Sequence, residues 1–306
     1  MPAAPTQGTQ GNSITVDVEE WYHILDSPAV PPTERWDSLE SRVELGLGRL
    51  LDMFEETGVR ATFFWLGWVA ERHKDMVAQC REAGHEIASH GYGHVLAYEV
   101  GPKAFRDDIS RAKRILEDVI GDKVLGFRAP GFGITDETPW VFEVIREVGY
   151  EYDSSVFPAT RGHGGMRGSP LGPYIVGTPS GLLVEFPMST VEALGRRLPL
   201  FGGGYLRLAP KGLIRYGLKR LQTAGHPLII YVHPREVDVE HPRLPLNAFR
   251  RFKSYVNMKS TMPKLRWLCQ EHTFLTMAEL AQEYVAREMD EPQTAAEERR
   301  LFDRST

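Results

Sequence analysis

Cysteine is scarce, with Cys80 and Cys269 the only two in 306 residues. Neither stands in a C-x-x-C pair, which excludes a zinc knuckle and a disulfide framework; both read as unpaired thiols on helices. No run of about 18 apolar residues occurs, so no membrane-spanning helix is expected. The opening stretch MPAAPTQGTQGNS has no basic segment and no apolar core, so it does not read as a secretory leader, and a cytoplasmic location is the expectation. Excess positive charge is missing too. Lys and Arg number 36 against 41 Asp and Glu, a net charge of −5 with both signs mixed, which argues against a nucleic-acid partner. No G-x-G-x-x-G follows the first apolar run, which leaves a dinucleotide fold without its main support. No repeat of fixed period appears, and oligomeric state leaves no trace in the sequence.

What is present is an alternation. Hydrophobic residues make up 42% and charged residues 25%, an ordinary globular balance. Short β-branched runs lie at Ile14–Val18, Ala61–Leu66, Glu86–Ser89, Val124–Phe127, Tyr150–Asp153, Leu182–Phe186 and Leu228–Val232. Helical patterns fall between them, near 38–57, 69–83, 102–120, 136–149 and 210–224. Gly58, Gly84, Gly121 and Gly149 stand just past four of these helices, where a left-handed cap favours glycine. Strands alternating with helices imply βαβ units and a parallel sheet. About seven strands suggest an α/β fold of the distorted (β/α) barrel kind more than an open sheet. The expected organisation is a flexible segment over 1–12, a barrel domain over 13–240, a C-terminal extension of two or three helices over 241–288, and a polar tail over 289–306. Residues 158–181, rich in Gly, Pro and Arg, read as a long loop, either a binding lid or a surface excursion.

The reactive side chains collect at the C-terminal ends of the predicted strands, the active face of a (β/α) barrel. Strand one ends in Asp17, Val18, Glu19 and Glu20. Because side chains alternate along a strand, Asp17 and Glu19 point the same way, and Glu20 faces away or leaves the strand altogether. His90 and His94 bracket Gly91 and Gly93 in a tight loop. Alone, such a pair is more often structural or exposed than ligating; beside an acidic cluster it suits a two-His, one-carboxylate zinc site. Arg128 is placed to pair with a carboxylate, or else is a surface residue. His233 leaves a buried strand, poised for acid chemistry or simply satisfied by backbone, and is expected across the barrel from Asp17. Trp21, Tyr22 and Trp65 near strand ends suit either pyranose stacking or the core. Asp153 can orient an active-site group, and Pro130 follows Arg128 in the same turn.

These residues fall into ordered motifs that resemble the polysaccharide deacetylase family, the carbohydrate esterases sharing the chitooligosaccharide deacetylase domain. The segments are Thr15–Glu20, Ser89–His94, Arg128-Ala129-Pro130, Tyr152–Ser155 and Tyr231–Pro234, spread over residues 14–234. More narrowly, DVEEWYH, ASHGYGH, GFRAPGFGIT, YDSSVFP, GGGYLRL, YVHPRE and the Arg251–Asn257 stretch resemble the branch found beside exosortase and PEP-CTERM loci. The resemblance implies N-deacetylation of hexosamine units for exopolysaccharide synthesis. It also implies a divalent metal, zinc in the first instance, on Glu19, His90 and His94. Asp17 would be the base, Arg128 its partner and His233 the acid, with Trp21, Tyr22, Trp65, Asp153 and Pro130 around the substrate. One position departs: the family commonly has two adjacent aspartates in its first motif, and here Val18 takes the second place, with Glu19 the nearest substitute. Relatives with an altered first motif act on cyclic ureides or imides, some without metal. Two other readings therefore stay open, an amidohydrolase of a small cyclic amide, ureide or formamide, and a catalytically dead carbohydrate-binding module. A glycoside hydrolase would leave the two-His loop unexplained.

Overall fold

A strand hydrogen-bonded on both sides, with both faces covered, must be apolar along its length. β1 (Ser13–Val18) meets this condition, every residue of it being buried. In the computed structural model, which describes residues 11–290 apart from Asp26, 161–163 and Leu194, β1 lies between β10 (Ile229–Val232) and β2 (Thr62–Trp65). Beyond β2 come β3 (Glu86–Ser89), β4 (Gly126–Phe127), β5 (Tyr152–Asp153) and β7 (Gly181–Glu185), all parallel. The seven parallel strands are the seven read from the sequence, and the curled sheet they form is a distorted (β/α) barrel. The registers Asp17↔Phe64, Trp65↔Ser89, Ser89↔Phe127, Phe127↔Asp153 and Asp153↔Glu185 bring the C-terminal ends level. Residues that follow those ends therefore form one rim.

The barrel is incomplete in its hydrogen bonding. The outer edge of β10 is covered by an irregular segment: Ser189 Oγ accepts from Ile229 N at 2.7 Å and Phe201 O accepts from Tyr231 N at 3.2 Å. Four elements were not expected. β6 (Tyr174–Thr178) pairs antiparallel with β7, so the stretch expected as one long loop over 158–181 ends in a hairpin. β8 (Thr190–Ala193) and β9 (Arg196–Pro199) form a separate hairpin, and the short α6 (Gly203–Leu208) follows.

The crossovers are helical: α1 (Val43–Thr57), α2 (Gly67–Arg72), α3 (Lys74–Glu82), α4 (Ala97–Ile120), α5 (Trp140–Glu147) and α7 (Lys211–Thr223). Gly58 (φ 65°) and Gly121 (φ 65°) cap α1 and α4 in the left-handed conformation. Three helices end the described chain: α8 (Ala248–Tyr255), α9 (Thr261–Glu271) and α10 (Met277–Asp290). They reach both ends of the barrel. The N-terminus of α10 closes the bottom, where Thr62 Oγ1 accepts from Met277 N at 2.8 Å and Glu86 Oε2 from Ala278 N at 2.9 Å. α8 sits at the opposite rim beside α6, with Lys253 O accepting from Arg207 Nη2 at 2.9 Å. No helix among the described residues is long and apolar enough to cross a membrane. The expected flexible start (all but Gly11 and Asn12) and the tail beyond 290 lie outside the described residues.

Candidate active site

The rim opens into a cavity of about 650 Å³ lined by Asp17, Glu19, His90, His94 and His233. Asp17 and Glu19 are both buried and point the same way from the end of β1, as the alternation requires. Glu20 turns out of the site and accepts from Ser41 Oγ and from Arg42 N at 3.0 Å. Asp17 Oδ1 takes Arg128 Nη1 at 2.6 Å. The guanidinium is fully buried and fixed on every side, by Thr15 Oγ1 at 2.6 Å, Ser154 O at 3.1 Å and Ser154 Oγ at 3.0 Å, with the ring of Phe64 against it. A rigid cation on one carboxylate oxygen fixes that group's orientation and leaves the other oxygen to the cavity.

The loop after β3 carries the two imidazoles. Gly91 has φ 74°, a conformation side chains rarely adopt, and His94 itself sits at φ 53°. Asp108 on α4 holds the loop, accepting from Tyr92 N at 2.7 Å and Gly93 N at 2.8 Å. His90 Nδ1 donates to Arg128 O at 2.8 Å, which leaves the Nε2 lone pair for the cavity. Burial pushes His90 down to about 4, so the ring is neutral at ordinary pH. His94 Nε2 lies 2.6 Å from Glu19 Oε2, yet the contact lacks the geometry of a hydrogen bond, and that oxygen is buried without a donor. Burial pushes Glu19 up, and the pull of His94 and His233 outweighs it, holding the carboxyl below its ordinary range.

Donor atoms of Glu19, His90 and His94 lie within 4.8 Å of one another. Two imidazoles and a carboxylate, with an orphaned oxygen among them, fit a divalent ion such as zinc.

His233 follows β10, the strand hydrogen-bonded to β1. It therefore lies beside Asp17 and not across the barrel: its Nε2 is 3.9 Å from Asp17 Oδ2 and 3.2 Å from Glu19 Oε1. The reason is closure order, since the last strand pairs with the first.

Five expected site residues are elsewhere. Trp65 (0% exposed) and Tyr22 (1%) are core, and Trp21 (7%) donates Nε1 to Glu40 O at 2.9 Å; none lines the cavity, so none offers a face to a sugar. Pro130 is buried behind Gly131 and Phe132, which do line it. Asp153 is fully buried among Ser155 and Glu185, below the rim. The aromatic surface comes instead from Phe132, Tyr205, Tyr231, Phe249 and Phe252.

His23 was missed, although it ends the same motif as Asp17. Its ring lies parallel to His94, with centroids 5.5 Å apart, and its Nδ1 accepts from Glu20 N at 3.1 Å. Nε2 then carries the proton, buried and without a partner among the described residues. Burial, with His94 beside it, pushes His23 well below the ordinary imidazole value.

Parts of the chain resemble known sequences. The profile of the polysaccharide deacetylase family matches residues 45–152, and that of DUF3473, a domain of unknown function, matches residues 154–282. Over residues 45–152, about a third of its length, the chain is similar to the polysaccharide deacetylases. A peptidoglycan-N-acetylglucosamine deacetylase of Bacillus cereus is 32% identical over 103 residues, 34% of this chain and 46% of that protein. A peptidoglycan deacetylase of Helicobacter pylori is 28% identical over 113 residues, 37% of this chain and 38% of that one. The chain thus spans less than half the length of these relatives. Among solved structures, one from Mycobacterium smegmatis assigned to the polysaccharide deacetylases superposes with a TM-score of 0.60 at 21% identity, covering 94% of this chain and 96% of its own. The Puue allantoinase gives 0.59 at 18% identity, covering 90% and 89%. At these identities the likeness is one of fold.

Proposed function

We propose that this protein is a metal-dependent N-deacetylase that hydrolyses the acetamido group of an N-acetylhexosamine unit, in a polysaccharide or its precursor made for export. The observation that carries the reading is the convergence of Glu19, His90 and His94 on one point beside the Arg128-bound Asp17 and His233. A divalent ion, zinc in the first instance, held by Glu19, His90 and His94 would supply Lewis-acid polarisation of the amide carbonyl and of the attacking water. Asp17, oriented by Arg128, accepts the proton as the water oxygen bonds to the carbonyl carbon. His233 donates a proton from Nε2 to the amide nitrogen as the C–N bond breaks, so that acetate and a neutral amine leave. The names of the curated relatives, peptidoglycan deacetylases, support the substrate class.

Acetate release from a panel of acetylated amino sugars, with and without chelator, tests the reading. Activity should disappear on chelation and return with zinc. Undiminished activity in protein shown by elemental analysis to be metal-free would transfer the site to the amidohydrolase reading.

A further inference from the structure

Arg235 follows His233 by two residues and lines the same cavity. Its Nε and Nη1 are buried, and among the described residues neither has a hydrogen-bond partner. Asp17 lies on Arg128 at 2.6 Å, Glu236 on Arg207 at 3.1 Å, and Glu19 Oε1 is 3.2 Å from His233 Nε2, so Arg235 acts on Glu19 and Glu236 only through its charge. A guanidinium with buried, unanswered N–H groups is unfavourable unless a ligand brings the acceptors, and carboxylate and phosphate are the acceptors it fits best.

A second feature continues from this one. α8 runs along the cleft, and of its side chains only Tyr255 is buried. Phe249 and Phe252, three residues apart and 74% and 56% exposed, line the cleft wall together with Arg250 and Lys253. Aromatic rings accept the C–H face of a pyranose, and cations between them accept an acidic substituent.

We propose that Arg235, with Arg250 and Lys253, binds an oxyanion on the sugar chain that carries the reacting acetamido group, while Phe249 and Phe252 pack on the adjoining ring. The substrate is then an anionic glycan and not a neutral chitin-like chain. This rests on the deacetylase reading only for what happens to the bound sugar. An anionic membrane surface would also attract rings and cations, but all five side chains line a cleft that ends at the catalytic carboxylates, a shape that takes a chain.

The test is binding, by calorimetry, of length-matched oligosaccharides that lack acetyl groups: one neutral, one with alternating uronic acids and one ending in a glycosyl phosphate. An acidic ligand should bind about tenfold tighter than the neutral one, the worth of one charge-assisted hydrogen bond. The advantage should fall as salt rises and shrink in Arg235→Gln. Lys253→Gln, at an exposed position, should move the same way and keeps the test decisive if Arg235→Gln fails to fold. Preference for uronate over phosphate, or the reverse, names the oxyanion. Equal affinity for neutral and acidic chains overturns the proposal. So does binding to vesicles containing anionic lipid with no preference among soluble glycans, which would make the patch a membrane contact. Because no ligand in the test has an acetyl group, an acid preference with no acetate release from any acetylated sugar would overturn the reaction and leave the subsite standing.

Discussion

His233 Nδ1 lies 2.7 Å from Glu236 Oε1, on the turn that directly follows β10. Glu236 is itself paired with Arg207 at 3.1 Å. Burial pushes the Glu236 carboxyl up, and the opposing pull of Arg207 and His233 brings it down to about 2. A fixed anion on Nδ1 sets the ring so that Nε2 faces Asp17 and Glu19. The sequence places a carboxylate three residues from the histidine; Arg207, which anchors that carboxylate, comes from α6, 29 residues before Glu236 in the chain.

An amide nitrogen must be protonated before it leaves, whereas a phenolate departs unaided. His233→Ala should therefore lower turnover of an acetylated amine by about 10²-fold or more and impair an activated aryl ester much less. Glu236→Gln should lower amide turnover in the same sense by a smaller factor. Equal losses on amide and ester would make His233 a ligand or a packing residue.

Asp17→Asn should retain metal and lose about 10²–10⁴-fold in turnover. Glu19→Gln should instead weaken metal binding, because it removes the anionic oxygen that faces His94 Nε2 at 2.6 Å. Metal content and turnover measured on both variants separate the two roles; the reverse pattern would exchange them.

Gly46 on α1 packs against the turn that bears Glu236. A Cβ there would lie 2.2 Å from Pro234 O and 2.6 Å from Pro234 C, and backbone cannot step aside as a flexible side chain can. Gly46→Ala should displace the turn, lowering stability by about 1–3 kcal/mol, and should reduce turnover without loss of metal. An unchanged unfolding midpoint with full activity would show that α1 shifts instead of the turn.

Asp153 and Glu185 are neighbours across β5 and β7, and both are fully buried. Burial pushes Asp153 up to about 6 from 3.8, and burial together with Asp153 pushes Glu185 well above its ordinary value. A raised folded-state value means that the neutral acid is the form the fold prefers. The Asp153 contribution is complete below about pH 4 and is lost as pH rises through about 6. Relative to Asp153→Asn, the wild-type protein should lose stability between pH 4 and 7. Parallel denaturation curves for the two proteins over that range would contradict the assignment.

Periodicity and local geometry made much of this protein legible in its sequence. The seven parallel strands followed from short apolar runs separated by glycine-capped helices. The shared direction of Asp17 and Glu19 followed from strand alternation, and the His90–His94 loop from its two glycines. These properties depend on residues near one another in the chain. The β6–β7 and β8–β9 hairpins were not visible, because β6 and β9 are only half-buried and carry no strong apolar alternation. Position across the barrel was likewise beyond a linear pattern: β10 pairs with β1, so His233 stands beside Asp17. Nor does an aromatic residue's place in a motif say which way it faces. Trp21, Tyr22 and Trp65 are next to the chemistry in sequence and buried in the core, while Phe249 and Phe252, far along the chain, line the cleft. The sequence by itself determined which reactive groups this protein carries and at which strand ends they stand, because those are set by local alternation and turn chemistry. Only the tertiary structure decided which of them meet, because contact depends on sheet order and helix packing between segments hundreds of residues apart.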